Sequence, residues 1–180
     1  MKSFFREIFW TIVLAVIIFL LMQATIQSSI VDGPSMENSF YHGERLIIAK
    51  DRIVYLLNEP QRGDIIVFHS PQNHKEEYLK RIIGLPGDSI EIKEGTVYIN
   101  GTRLDEPYIK DTPGYTYRNE AIPEDTYFVL GDNRNNSNDS HNDWFVPRHD
   151  IVGKVVFSVW PPPEWGPAPN YPLDEQLLGS

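Results

Sequence analysis

The chain has 180 residues, a net charge of −9 and no cysteine. The length suits one membrane segment plus one domain with a real core. The acidic balance, with no block of Lys or Arg after the apolar N-terminal run, argues against nucleic acid or an anionic membrane surface as a charge-driven partner. The missing cysteine excludes disulfides, Cys-based metal sites and a thiol nucleophile, and leaves the redox compartment open.

Residues 1–7 form a short N-terminus. Ile8 to Ile26 is then nearly all apolar, interrupted by Thr11, Gln23 and Thr25, and is close to the ~20 residues a helix needs to cross a bilayer. A cleaved secretory signal would have a core of about 7–15 residues and a small-residue site. This run is longer, and Gln23-Ala-Thr-Ile-Gln-Ser-Ser29 is a poor Ala-x-Ala match, so a retained anchor over 8–26 is predicted. Lys2 and Arg6 precede the run and no Lys or Arg follows before Arg45. The positive-inside rule puts the N-terminus in the cytoplasm and residues 27 onward outside.

After the anchor, Gly33-Pro-Ser-Met36 reads as a bend that presents a serine, because Gly admits positive φ and Pro fixes φ. Short strands with turn punctuation follow. Arg45 to Ala49 reads as a strand, 51–58 as a helical turn or a strand, 62–64 as a turn and Ile65 to Phe68 as a buried strand. Residues 70–76 read as a loop and Tyr78 to Ile83 as a strand, with a turn over 84–87. Ser89 to Ile92 alternates apolar and polar. Thr96 to Ile99, Asn100-Gly101 and Thr102 to Leu104 form a hairpin, Asn-Gly being a preferred type I′ turn. Residues 105–126 look like a loop excursion or a small subdomain. Tyr127 to Leu130 and Ile151 to Val159 are strands around a polar loop over 131–143. The tail, 161–180, carries many prolines and is read as extended, with Trp160 and Trp165 suited either to a lipid interface or to packing on the domain. The sum is a mainly β fold: an N-terminal transmembrane helix, then a coiled antiparallel barrel-like or sandwich domain over 27–160.

Lys80 is the unusual residue. Alternation puts Tyr78, Lys80 and Ile82 on one face of an apolar strand. A solvated edge lysine is the ordinary reading. A desolvated general base, its pKa brought down by burial against apolar groups, is the other, and beside Ser35 it could take the hydroxyl proton.

The sequence resembles the bacterial type I signal peptidases, membrane-anchored Ser-Lys proteases, over almost its whole length. The resemblance is carried, in order, by the anchor, Gly33-Pro-Ser-Met36 with Ser39-Phe40, Arg62-Gly-Asp-Ile-Ile-Val-Phe68 and Tyr78-Leu-Lys-Arg-Ile-Ile-Gly-Leu-Pro-Gly-Asp88. It continues through Val97-Tyr-Ile-Asn-Gly101, Gly131-Asp-Asn-Arg-Asn-Asn-Ser-Asn-Asp-Ser140 and Phe145-Val-Pro147. The Lys80-Arg81 pair resembles the prokaryotic branch, since the endoplasmic-reticulum branch carries His there.

The resemblance implies Ser35 as nucleophile, Lys80 as general base and Ser137 as the hydroxyl that orients the Lys80 amine. It implies an oxyanion hole at the backbone of Gly33 and Ser35, with Gly33 leaving out the hydroxyl that many members add. It implies an Asp132–Arg81 ion pair and a second brace at Asp139, where His141 stands in place of the usual Arg. Asn38-Ser39 departs from the frequent Pro-Thr, and His141-Asn-Asp-Trp144 from Arg-x-Trp-Gly. The implied substrates are the signal peptides of exported preproteins, cleaved after Ala-x-Ala, with a bilayer as the other partner and no metal, cofactor or nucleic acid. Ile30, Val31, Ile82 and Ile83 are candidates to line shallow pockets for the small substrate residues.

Rival readings stay open. A Ser-His-Asp hydrolase could draw on His42, His69, His74, His141 or His149. A Ser-Lys self-cleaving repressor shares the dyad but would carry a DNA-binding domain in place of the anchor. The Asn/Asp-rich loop 131–143 suggests calcium, although Arg134 and a missing Gly break the EF-hand pattern. A tethered binding module of the same fold is the last alternative.

Overall fold

The computed structural model describes residues 2–169, 171 and 173–177. Position 1 of the expected N-terminus, and 170, 172 and 178–180 of the expected tail, lie outside them.

Helix α1 spans Lys2–Thr25 and so begins six residues before the predicted anchor. Its segment Phe4–Thr25 has a mean hydropathy of 2.4 and is 0% buried inside the protein. A helix apolar on every side and covered by nothing is unlike the core helix of a soluble domain. It is long and apolar enough to cross a membrane.

The chain leaves α1 directly into β1 (Ile26–Ile30), a strand that no pattern in the sequence predicts. The remaining elements are β2 (Arg45–Lys50), a short helix α2 (Asp51–Val54), β3 (Ile65–His69), β4 (Glu77–Gly84), β5 (Ile90–Lys93), β6 (Thr96–Ile99) and β7 (Thr102–Arg103). They continue as β8 (Tyr117–Asn119), β9 (Thr126–Leu130), β10 (Val146–Pro147), β11 (Ile151–Trp160), β12 (Gly166–Pro167) and α3 (Leu173–Leu177). All strand pairs are antiparallel. The large sheet runs β1-β2-β11-β3-β4-β9-β10, with β12 on β11, and the small sheet runs β7-β6-β5-β8. Register shifts along β11, against both β2 and β3, bend this ten-residue strand and coil the large sheet. The fold is therefore mainly β and antiparallel behind one apolar helix.

Burial explains the strands. In β3 every residue of Ile65-Ile-Val-Phe68 is buried, because its two faces feed different cores. Ile65 and Val67 pack with Met36, Phe40, Leu46 and Ile48. Ile66 and Phe68 pack with Ile82, Val129 and Trp144. The third core joins the small sheet to the large one through Ile83, Ile90, Val97, Ile99 and Phe128. Residues 105–126 belong to that unit: Tyr108 and Ile122 are buried in it, and β8 pairs β5. The described part of the tail is not simply extended, since it includes α3 and Leu173 is wholly buried in the same core.

Candidate active site

Met36 and Phe40 are 1% and 2% exposed, and both drive into the core beneath β3. Phe40 N–H closes a turn on the Met36 carbonyl at 2.8 Å. Ser35, immediately before that turn, is left at the edge. Gly33 has φ +91°, with nothing near enough to obstruct a Cβ, so its role is conformational, and Pro34 stiffens the next step.

Loop 131–137 holds this bend from the other side. The Asn133 amide N–H donates to the Ser35 carbonyl at 3.0 Å, and its side-chain Nδ2 donates to the Pro34 carbonyl at 3.1 Å. A Cβ at Gly131 would collide with the Ser35 carbonyl and with Ser137 Oγ, so only glycine lets the loop come this close. Neither Asn133 nor Gly131 was singled out from sequence. Both stand in the quoted 131–140 motif, but nothing in their chemistry announces a contact across about a hundred residues.

Lys80 is 4% exposed on β4. Its Nζ donates to Ser35 Oγ at 2.9 Å and to the Leu79 carbonyl at 2.9 Å. Desolvation brings its pKa down from 10.5 to about 8, opposed by the negative fields of Asp139 and Asp132. Ser35 and Lys80 thus form a hydroxyl–amine pair. Among the described residues no histidine bonds Ser35; His42 instead accepts from the Gly33 amide at 3.1 Å.

Three expectations need correction. The Gly33 N–H is committed to His42, so it is not a free oxyanion donor; among the described residues the Ser35 N–H has no acceptor. Ser137 lies against Gly131, but its buried Oγ makes no hydrogen bond, so the expected bond to the Lys80 amine is not formed. Ile82 and Ile83 are each 0% exposed. Ile82 packs with Ile66 and Val129, and Ile83 packs with Ile90 and Ile99, so both fill cores instead of lining the cleft. Apolar character alone could not separate core from pocket.

A cleft of about 290 Å³ opens over the pair, lined by Ile30, Val31, Met36, Leu46, Val67 and Leu79 with Ser35 and Lys80. Ile30 and Val31, candidates from sequence for a substrate pocket, are among the lining residues. β3 pairs all of 77–81, whereas β9 meets β4 only from Arg81 onward. Among the described residues, no strand pairs the other edge of 77–80, which lines the cleft.

Behind Lys80, Arg81 and Asp132 are both wholly buried. Arg81 Nε and one terminal nitrogen donate to the two carboxylate oxygens at 3.0 and 2.7 Å, the fork geometry that suits guanidinium and carboxylate. Ser39 Oγ donates to Asp132 at 2.5 Å and accepts from Arg81 at 3.2 Å. The other terminal nitrogen of Arg81 donates to the carbonyls of Gly63 and Pro169, each at 3.0 Å. Asp139, also buried, accepts from the Gly131 amide at 2.9 Å and lies 2.6 Å from His141 Nδ1, whose ring stacks on Tyr115. His141 thus occupies the place expected of an arginine. A second buried arginine, Arg134, was unforeseen: it forks onto Glu106 at 2.7 and 2.6 Å and donates to the Gly131 carbonyl at 3.1 Å. Asp132 and Asp139 are spent on these contacts instead of facing a common ion.

The family described as "Signal peptidase, peptidase S26" matches residues 4–160. The chain is 45% identical over 141 residues to a probable signal peptidase I-2 of a Synechocystis strain, an alignment covering 76% of this chain and 64% of that protein. It is 43% identical to a signal peptidase I of Leptolyngbya laminosa, covering 78% and 73%, and 35% identical to a signal peptidase IB of Staphylococcus aureus, covering 84% and 88%. Among solved structures it is similar to a crystal structure of a signal peptidase I from Enterococcus faecalis, with 37% identity and a TM-score of 0.50 over 54% of this chain and 97% of that one.

Proposed function

The chain belongs to the signal peptidase S26 family, and from that premise we propose that it is a membrane-anchored serine endopeptidase that removes signal peptides from exported preproteins. The observation that carries this reading is the 2.9 Å contact between Ser35 Oγ and an amine held at a pKa of about 8. Neutral Lys80 takes the Ser35 proton as Oγ attacks the scissile carbonyl. The free Ser35 N–H stabilises the oxyanion. The Lys80 proton passes to the leaving amine, which departs as the acyl-enzyme forms. Lys80 then takes a proton from water as the hydroxide equivalent attacks the ester, and it passes that proton to Ser35 Oγ as the acyl–oxygen bond breaks, which releases the acyl peptide as its carboxylic acid and restores both residues.

Substrate binding follows from the cleft. An extended peptide can add to the free edge of 77–80, its backbone pairing and its alternate side chains entering the apolar floor. The floor is shallow and near the small end for ligand sites, which favours small side chains at −1 and −3 and hence an Ala-x-Ala site. Helix α1 anchors the domain, with Arg6 and the N-terminus cytoplasmic and the cleft outside. Because β1 follows α1 without a linker, Ser35 stays close to the membrane surface, where a signal peptide held by its own apolar core presents its cleavage site.

The test is cleavage of a preprotein with an Ala-x-Ala site by the full chain in lipid, with the new N-terminus sequenced. Cutting after the second Ala, lost in Ser35→Ala, supports the reading. An intact preprotein with wild type, or cutting that persists in Ser35→Ala, overturns it.

A further inference from the structure

The C-terminal tail does more than close the core. Ala168 N–H donates to the Val156 carbonyl at 3.0 Å. Leu173 is wholly buried, Asp174 pairs with Arg62 at 2.7 Å, and the Gln176 amide binds both the N–H and the carbonyl of Asp105 at 2.7 and 3.0 Å. Pinned at these points, the tail passes over Arg81. It supplies the Pro169 carbonyl as one of that guanidinium's acceptors. It also supplies the Tyr171 ring, 5.4 Å from the guanidinium carbon and packed at 4.8 Å on Tyr108, whose own ring lies 4.1 Å from it. Arg81 thus lies beside a packed pair of aromatic rings, one of them borrowed from the tail.

We propose that this strap, built from Ala168, Pro169, Tyr171 and α3, is a positioning element of the active site: it holds Arg81 on Asp132 and so fixes the charge that Lys80 feels. The proposal rests on the Ser35–Lys80 reading. The physical link is short. Arg81 follows Lys80 in β4, and its cation cancels the Asp132 anion at no cost in unpaired donors. The two carboxylates acting on the amine are Asp132 and Asp139, and both favour the ammonium. Asp139 is already engaged by the Gly131 amide and His141. Asp132 depends on Arg81 and Ser39. Removing the Tyr171 ring admits water to the guanidinium, loosens its hold, uncovers the Asp132 charge and favours protonation of Lys80.

The experiment follows the Lys80 signal by NMR in full-length protein carrying ε-13C lysine, assigned by its loss in Lys80→Arg and titrated in wild type, Tyr171→Ala and Tyr171→Phe. Tyr171→Ala should move the midpoint from about 8 toward 10.5, and Tyr171→Phe, which keeps the ring, should not. A rise of one unit leaves a neutral fraction smaller by about tenfold below the midpoint, so kcat for preprotein cleavage should fall by about that factor with KM unchanged. If Tyr171→Ala unfolds, Tyr171→Leu, which keeps apolar bulk without the ring face, carries the same readout. An unmoved midpoint and kcat, with only a lower Tm, would overturn the proposal and leave the strap a structural clasp. A moved midpoint in a protein that cuts no preprotein would uphold the strap and overturn the peptidase reading instead.

Discussion

Arg81 and Lys80 are consecutive on β4 and both are withdrawn from water, yet the brace behind the cleft and the cleft itself treat their cations in opposite ways. Behind the cleft, Arg81 meets a carboxylate in fork geometry, a hydroxyl, two carbonyls and two aromatic rings. In the cleft, Lys80 meets one hydroxyl, one carbonyl and the Tyr78 ring at 5.4 Å, with no carboxylate among its hydrogen-bond partners. The brace satisfies its charge fully and gains precision. The cleft leaves its charge underpaired, and desolvation then favours the neutral amine. A saturated cation and an underpaired one are thus made from neighbouring residues by the choice of partners.

The contrast can be broken most sharply in the cleft. Lys80→Ala should lower cleavage by about 10²–10⁴-fold, the usual worth of a general base, while circular dichroism shows an intact fold. Next in size, Asp132→Ala leaves Arg81 buried without its carboxylate and should cost about 3–5 kcal/mol in a urea titration. Lys80→Met, by contrast, should stabilise the protein at pH 7, by roughly 3 kcal/mol, because it removes a desolvated amine. The sign follows from the lowered pKa. Between about 8 and 10.5 the unfolded lysine keeps a proton that the folded one has lost, so wild-type stability rises with pH across that window and the advantage of Lys80→Met should shrink there. The smallest effect belongs to Ser39→Ala, which removes the hydroxyl that donates to Asp132 and accepts from Arg81 but leaves the Arg81–Asp132 pair in place. It should cost about 1.5 kcal/mol in the same urea experiment.

The same division separates what could be read in the sequence from what could not. The brace and dyad residues stand in compact motifs, and Ile65-Ile-Val-Phe68, the Asn100-Gly101 hairpin and the Lys80 strand announce themselves by pattern. Asn100 and Gly101 have φ of 52° and 82°, as a type I′ turn requires. What escaped was set by tertiary context. β1, Ile-Gln-Ser-Ser-Ile, is too polar to read as a strand until β2 covers it. β8 hides among prolines and glycines and exists because β5 offers an edge. α3 is a single helical turn held by Leu173 and by side chains far away in sequence. Ile82 and Ile83 looked like pocket residues because periodicity says which face a residue is on and not what lies over it. The partners of Arg81 from Gly63, Ser39 and Pro169 are long-range contacts that no local pattern carries.

The most direct test of the contrast is the pH dependence of kcat/KM for preprotein cleavage by the full chain in lipid, measured beside Lys80→Ala. An ascending limb with an apparent pKa of about 8, the value held by the desolvated Lys80 amine, and loss of turnover in the variant are expected. An ascending limb near the unperturbed histidine value of about 6.5, surviving in Lys80→Ala, would contradict it and return the base to an imidazole.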